Sequence, residues 1–372
     1  MVIALFVSKL KVYNFRNLAD QTVELSNGPV YITGLNGNGK TNLVEALYVL
    51  TGSRSFRTSS HSELVKWGKR ETSIFGTIVK KDGQDELGIA ITPGQRSAFK
   101  NGNQLASVRE LVGCCSVVAF SPSDLSLVKG APAGRRRFLD RHMVDLQPSY
   151  LNTLMAYQRA LASKSALLKS PRVDTSQLEA WNELLTEHGG KIVENRINFI
   201  KLLEKKAASF QSEFAQTDGM LHLRLESDFI SKSGEVIQQE IAGGLRKVVD
   251  REVALRSTLF GPHRDDLAIK FGNEVDARAF ASQGQTRSLV LALTLGVIEL
   301  LQEKIGEAPI VVLDDVDSEL DRSRAERLFT ALGKTERQLI ITGTEQPPEG
   351  LERGVHQKVQ LVRISEGVVY TN

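Results

Sequence analysis

Pro29-Val-Tyr-Ile-Thr33 is a short apolar run that leads into Gly34-Leu-Asn-Gly-Asn-Gly39-Lys40-Thr41, and a stretch with an apolar stripe, 40–51, follows directly. The run predicts a buried strand, and Leu43, Ala46, Leu47 and Leu50 predict one face of a helix. Between them the pattern G-x-x-x-x-G-K-[ST] is met in full, in the strand–loop–helix setting it requires. Gly34, Gly37 and Gly39 let the backbone wrap phosphate oxygens without Cβ clashes, so that the amides of the loop, Leu35, Asn36 and Asn38 included, can face an anion. Lys40 brings a point charge to the β and γ oxygens, which also makes it a candidate catalytic group. The Thr41 hydroxyl is placed to ligate Mg²⁺. The stretch predicts a site for a nucleoside triphosphate.

A second motif lies near the other end of the chain. Pro309-Ile-Val-Val-Leu-Asp314-Asp315 reads as a buried strand ending in two carboxylates. A carboxylate at a strand end beside a phosphate loop holds Mg²⁺, the role expected of Asp314. Asp315 is then placed to orient or deprotonate the attacking water. Its side chain is shorter than that of Glu, so slow hydrolysis is expected.

Ala281-Ser282-Gln283-Gly284-Gln285 precedes an apolar helix, 288–301, and Ser282 with Gln285 fits a capping box. A capped helix start is an anion site in its own right, so Ser282, Gly284 and Gln285 are candidate nucleotide contacts. The segment resembles the LSGGQ signature of ABC-type ATPases, departing from it at Ala281 and Gln283. Ser318-Glu-Leu-Asp321 resembles the D-loop of the same group. Where that group carries a switch histidine, Ile340-Ile-Thr-Gly-Thr344 offers threonines.

Composition excludes several classes. The 372 residues are 41% hydrophobic with 30 glycines, enough for a sizeable core, and no run is long and apolar enough for a membrane span. Residues 1–7 lack a basic leader and read as part of a first strand, and a cytoplasmic location is expected. Cys114 and Cys115 are adjacent and no CxxC occurs, so neither a disulfide framework nor a zinc site is expected. Net charge is only +3, but residues 129–172 hold nine basic and two acidic side chains. Arg135, Arg136 and Arg137 sit in that segment. It suits a surface that tracks phosphates, or else a solvated face and internal salt bridges, Arg137 beside Phe138-Leu139 being a candidate for the latter.

The texture along the chain is organised the same way. Strands and hairpins up to about 122 give way to a mostly helical stretch, 123–256, in which 177–214 reads as one long helix or two. A strand is expected at Leu267–Phe271, then alternating elements at 284–304, 309–314, 322–332 and 338–342. The domains expected are 1–122 and 257–372, which together make one head, with 123–256 inserted as a helical lid.

Taken together with Leu10–Leu18, Arg54-Ser-Phe-Arg57-Thr58, Ser121–Gly130, Gly134–Asp140 and Gly261–Leu267, these motifs resemble the RecF family of bacterial recombination-mediator ATPases in the ABC/SMC-like group. The resemblance covers nearly the whole chain. It implies an α/β P-loop ATPase head of the SMC/Rad50 type with an inserted helical lid, using ATP and Mg²⁺. It further implies an ATP-dependent homodimer, weak DNA-stimulated hydrolysis, and binding of duplex and gapped DNA. Action with RecO and RecR in loading recombinase, and a role in the SOS response, belong to the same expectation. Arg57 is a candidate contact for nucleotide or DNA by analogy with arginines near this position in SMC-like heads. A small-molecule P-loop kinase would explain Lys40, Asp314 and Arg135–Arg137 but gives Ser282–Gln285 no work. A transporter ATPase is disfavoured by the missing switch histidine. His263-Arg264-Asp265-Asp266 lacks metal-ligand spacing and reads as a turn with salt bridges, and Trp67 and Trp181 read as packing residues.

Overall fold

The computed structural model describes residues 5–53, 55–58, 60–214, 220–227, 234–315, 320–344 and 346–371. The chain divides into two compact units, 1–125 with 290–372, and 126–289.

The first unit contains two six-stranded sheets. One is antiparallel, in the order β2 (Gln21–Glu24), β1 (Phe6–Tyr13), β4 (Thr72–Lys80), β5 (Gly83–Thr92), β6 (Gln95–Lys100) and β7 (Asn103–Gln104). Its alternating inward set, Leu10, Val12, Ile74, Ile78, Leu87 and Ile89, follows the period-2 rule for a sheet with one face on the core. The second sheet runs β15 (Val368–Thr371), β14 (Gln360–Ser365), β3 (Pro29–Thr33), β13 (Leu339–Gly343), β12 (Ile310–Leu313) and β8 (Val117–Phe120). All neighbours in it are parallel except β14 and β15. Its central strands are apolar without alternation because both faces are covered. Helix α1 (Lys40–Leu50) buries Leu43, Val44, Ala46, Leu47 and Leu50 in the core shared with both sheets. The parallel strands β3, β12 and β13 end beside one another, and that edge is where an open α/β sheet places ligands.

The second unit contains α2 (Ser126–Lys129), α3 (Pro132–Leu146), α4 (Tyr150–Lys169), α5 (Thr175–Phe214) and α6 (Gly234–Leu255), with a small sheet of β9 (Leu221–Glu226), β10 (Asp266–Phe271) and β11 (Val275–Asp276). Helix α5 runs unbroken for 40 residues. The stretch 257–289, grouped by sequence with the C-terminal part of the head, lies in this unit, because β10 pairs with β9 from Asp266↔Glu226 to Phe271↔Leu221. It also carries α7 (Ala277–Phe280) and the first residues of α8 (Gln283–Ile305).

Buried ion pairs hold the second unit together. Lys164 and Glu252, both fully buried, meet at 2.7 Å. Arg196 pairs with Asp140 at 2.9 Å and Asp265 at 3.0 Å, and Arg135 Nη2 donates to Asp266 at 2.7 Å. Part of the basic excess of 129–172 is therefore internal, Arg135 and Lys164 being buried, while Lys129, Arg159, Lys169 and Arg172 are exposed. Arg135 is buried, Arg136 donates to the Asp265 carbonyl, and Arg137 is exposed. The expectation that Arg137 is the structural arginine is thus reversed: on α3 it is Arg135 that turns inward. Trp67 corrects another expectation. It sits on a turn with its side chain 99% exposed, whereas Trp181 is partly buried.

Candidate nucleotide site

The phosphate loop leaves the end of β3 and enters α1, with Gly37 at φ +83° and Gly39 at φ +110°. Both lie where a side chain would be strained, so the glycines are a geometric requirement. At Gly34 an added Cβ would sit 2.3 Å from the Ile364 carbonyl oxygen, so any side chain there would push the loop off the sheet. Lys40 is buried and its ammonium lies within the loop, donating to the carbonyls of Gly34 (2.6 Å) and Leu35 (3.3 Å). The backbone amides and the start of α1 add partial positive charge to this cation.

Asp314 follows β12 and is buried. One of its oxygens, Oδ1, accepts from Thr41 Oγ1 at 3.0 Å and from Thr342 Oγ1 at 2.8 Å. Burial, with the neighbouring Asp315 charge, holds the Asp314 carboxyl above its ordinary value against the pull of the two hydroxyl donors and of Arg57. Thr342, at the end of β13, also accepts the amide N–H of Asp315 at 2.9 Å. Asp315 is left-handed at φ +55°, an uncommon conformation for a side-chain-bearing residue, and Thr342 helps to hold it. The phosphate loop, Lys40, Thr41, Asp314 and Asp315 thus converge at the ends of three parallel strands. A hydroxyl and a carboxylate 3.0 Å apart are the hard oxygen donors that suit Mg²⁺.

In the second unit, Ser282 and Gln285 form the capping box reciprocally. The Ser282 amide donates to Gln285 Oε1 at 2.7 Å, and the Gln285 amide donates to Ser282 Oγ at 3.2 Å. Ser282 is exposed and Gly284 is half-buried, so the helix start faces outward. Of the stretch 318–321, which resembles a D-loop, Ser318 and Glu319 lie outside the described residues. Asp321 caps the helix Arg322–Gly333 by accepting the Arg324 amide at 2.9 Å. The stretch 263–266 is the turn with salt bridges that its sequence suggested. Tyr157 Oη lies 2.7 Å from His263 Nδ1, and burial lowers the His263 pKa to about 4.

Sequence reading missed two features of the site. In sequence Thr342 reads only as a residue standing where a histidine is expected, although a hydroxyl after a buried strand, opposite an Asp-Asp pair, is the available signal. Glu45 reads in sequence as one residue of an apolar helix, and its burial beside Arg16 and Arg57 is a tertiary fact.

A parallel sheet that places a phosphate loop, a hydroxyl and a buried aspartate at its strand ends defines a P-loop nucleotide-binding fold. The family model "RecF/RecN/SMC N terminal domain" matches residues 6–349. The protein named DNA replication and repair protein RecF from Oceanobacillus iheyensis is 36% identical over 375 residues, covering 98% of this chain and 99% of that one. The protein of the same name from Symbiobacterium thermophilum is 37% identical over 333 residues, 88% of each. A solved structure described as the recombination mediator protein RecF-ATP in the RecFOR pathway matches with TM-score 0.91 and 30% identity, over 100% of this chain and 99% of that one. An SMC head bound to the C-terminal winged-helix domain of ScpA matches with TM-score 0.59 and 16% identity, which extends the fold alone. The chain belongs to the RecF family of DNA replication and repair proteins.

Proposed function

We propose that this chain is an ATP-gated DNA-binding protein that works as a homodimer in recombinational repair and replication-fork maintenance. The observation that carries the reading is the convergence of Lys40, Thr41, Asp314 and Asp315, with Thr342 tying the last two together. In this reading Gly34–Thr41 cradle the triphosphate and Lys40 leaves its loop carbonyls for the β and γ oxygens. Thr41 and Asp314 hold Mg²⁺, which neutralises phosphate charge when bound. Asp315 orients the attacking water, and its short side chain keeps turnover slow.

Ser282, Gly284 and Gln285 complete the site of a second copy, so that each nucleotide joins two protomers. Binding energy that exists only in the closed dimer then couples ATP to closure, and hydrolysis to release. The relatives' names and the RecFOR pathway of the matched structure support DNA as the object gripped, with RecO and RecR as partners; a cytoplasmic location belongs to the same reading. No helix among the described residues is long and apolar enough to cross a membrane.

Fluorescence anisotropy of a labelled gapped duplex, titrated with and without ATP·Mg²⁺ at near-physiological salt, tests the reading. Binding that tightens with ATP, and fails to do so in Lys40→Met, is the expected result. Binding indifferent to nucleotide in both proteins would overturn the gating.

A further inference from the structure

Glu45 lies on α1, four residues beyond Thr41, and its charged side chain is fully buried. A carboxylate in that position must be paired. Arg16 does this with two bonds, Nε to Oε2 at 3.0 Å and Nη2 to Oε1 at 2.8 Å. That fork alone neutralises the charge, yet a second arginine is brought to the same group. Arg57 Nη1 reaches Glu45 Oε2 at 3.4 Å. The Ser55 hydroxyl donates to Glu45 Oε1 and accepts the amides of Arg57 (2.9 Å) and Thr58 (3.1 Å). Glu45 therefore holds Arg57 at both ends, the head directly and the backbone through Ser55.

Asn42 adds a tether from the residue after Thr41. Its Oδ1 accepts from Arg57 Nη1 at 2.7 Å, and its Nδ2 donates to Asn17 Oδ1 at 2.7 Å. Asn17 in turn donates to the Gly37 carbonyl in the phosphate loop at 2.8 Å. Arg57 is nonetheless exposed, and its Nε and Nη2 make no hydrogen bond among the described residues. Its charge also acts on the buried Asp314. The result is a guanidinium fixed in place beside the phosphate loop with donors to spare.

We infer that Glu45 is a positioning residue of the nucleotide site: with Ser55 and Asn42 it presents the Arg57 guanidinium to the phosphate oxyanions of a nucleotide held by Gly34–Thr41. The inference rests on the nucleotide-binding reading above. Its physical content is preorganisation, since an arginine already ordered before binding gives up little rotamer freedom when the anion arrives.

Isothermal titration of the full chain with Mg·ATP, in a double-mutant cycle of Glu45→Gln and Arg57→Ala, tests it. Arg57→Ala should weaken binding about tenfold, the usual scale of one charge-assisted contact. Glu45→Gln should weaken it several-fold, with the double variant no worse than Arg57→Ala alone. Asn42→Ala should weaken binding in the same direction with an unchanged unfolding midpoint, and it closes a second cycle with Arg57→Ala should Glu45→Gln fail to fold. Losses that multiply in the double variants, or an Arg57→Ala affinity within twofold of wild type, would overturn the inference and leave the nucleotide site standing. A wild-type chain that does not take up Mg·ATP would instead remove the nucleotide reading itself.

Discussion

Thr342 donates to the Asp314 carboxylate at 2.8 Å and with the same oxygen accepts the Asp315 amide at 2.9 Å. One fully buried hydroxyl thus fixes the direction of one carboxylate and the backbone of the next. Thr342→Val keeps the shape but leaves the Asp315 amide and one Asp314 lone pair without their partner. An unmade buried hydrogen bond costs about 1–3 kcal/mol, so the unfolding midpoint should fall. ATP turnover should drop by roughly tenfold or more, as misorientation of a catalytic group does. Steady-state hydrolysis beside a thermal melt checks both.

Asp315→Ala separates hydrolysis from binding. If Asp315 handles the attacking water, turnover should fall by about 10²–10⁴-fold, the range of general acid–base contributions. Affinity for ATP should stay within a few-fold, and the ATP-bound dimer should last longer. Single-turnover hydrolysis with mass measurement in ATP·Mg²⁺ reads both. An unchanged rate would move the role to another group.

His263 and Asp265 make stability respond to pH in opposite directions. Burial lowers His263 from 6.5 to about 4, so between those values the unfolded chain binds a proton that the folded chain refuses, and stability falls as the pH drops through that window. Burial raises Asp265 from 3.8 to about 6, so there the folded chain holds the extra proton and stability falls as the pH rises. The two nearly cancel in the wild type between pH 4 and 6. His263→Gln should leave the Asp265 trend exposed. Relative to wild type, the variant should gain about 1–2 kcal/mol on going from pH 7 to pH 5. Denaturant melts of both proteins at the two values test this, and parallel pH profiles would contradict it.

Arg135 and Arg137 differ by two positions and should differ in kind. Arg135→Ala strands the Asp266 carboxylate and should cost about 3–5 kcal/mol of stability. Arg137→Ala should leave the melt unchanged, weaken duplex binding, and reduce the slope of log affinity against log salt by about one. Titrations at three salt concentrations, with melts, distinguish them. A stable Arg135→Ala chain would mean that the buried pair contributes little.

The phosphate loop and the capped helix start were legible because the chemistry of each is local. Gly34–Thr41 is a contiguous loop whose φ values demand glycine, and Ser282–Gln285 is a capping box that closes within one turn of helix. Parallel-strand runs such as 310–313 show themselves by lacking alternation. The sequence by itself therefore determined the strand–loop–helix element, the Asp314 strand, the capped helix start at Ser282 and the α/β class. Only the tertiary structure decided which arginine of the triplet turns inward, that Trp67 is exposed, that Thr342 joins Asp314 to Asp315, and that Glu45 gathers Arg16 and Arg57. Those outcomes depend on groups 12 to 131 residues apart meeting across sheets and helices. No local periodicity encodes such meetings; they are settled by which buried charges and donors can satisfy one another once the backbone has closed around them.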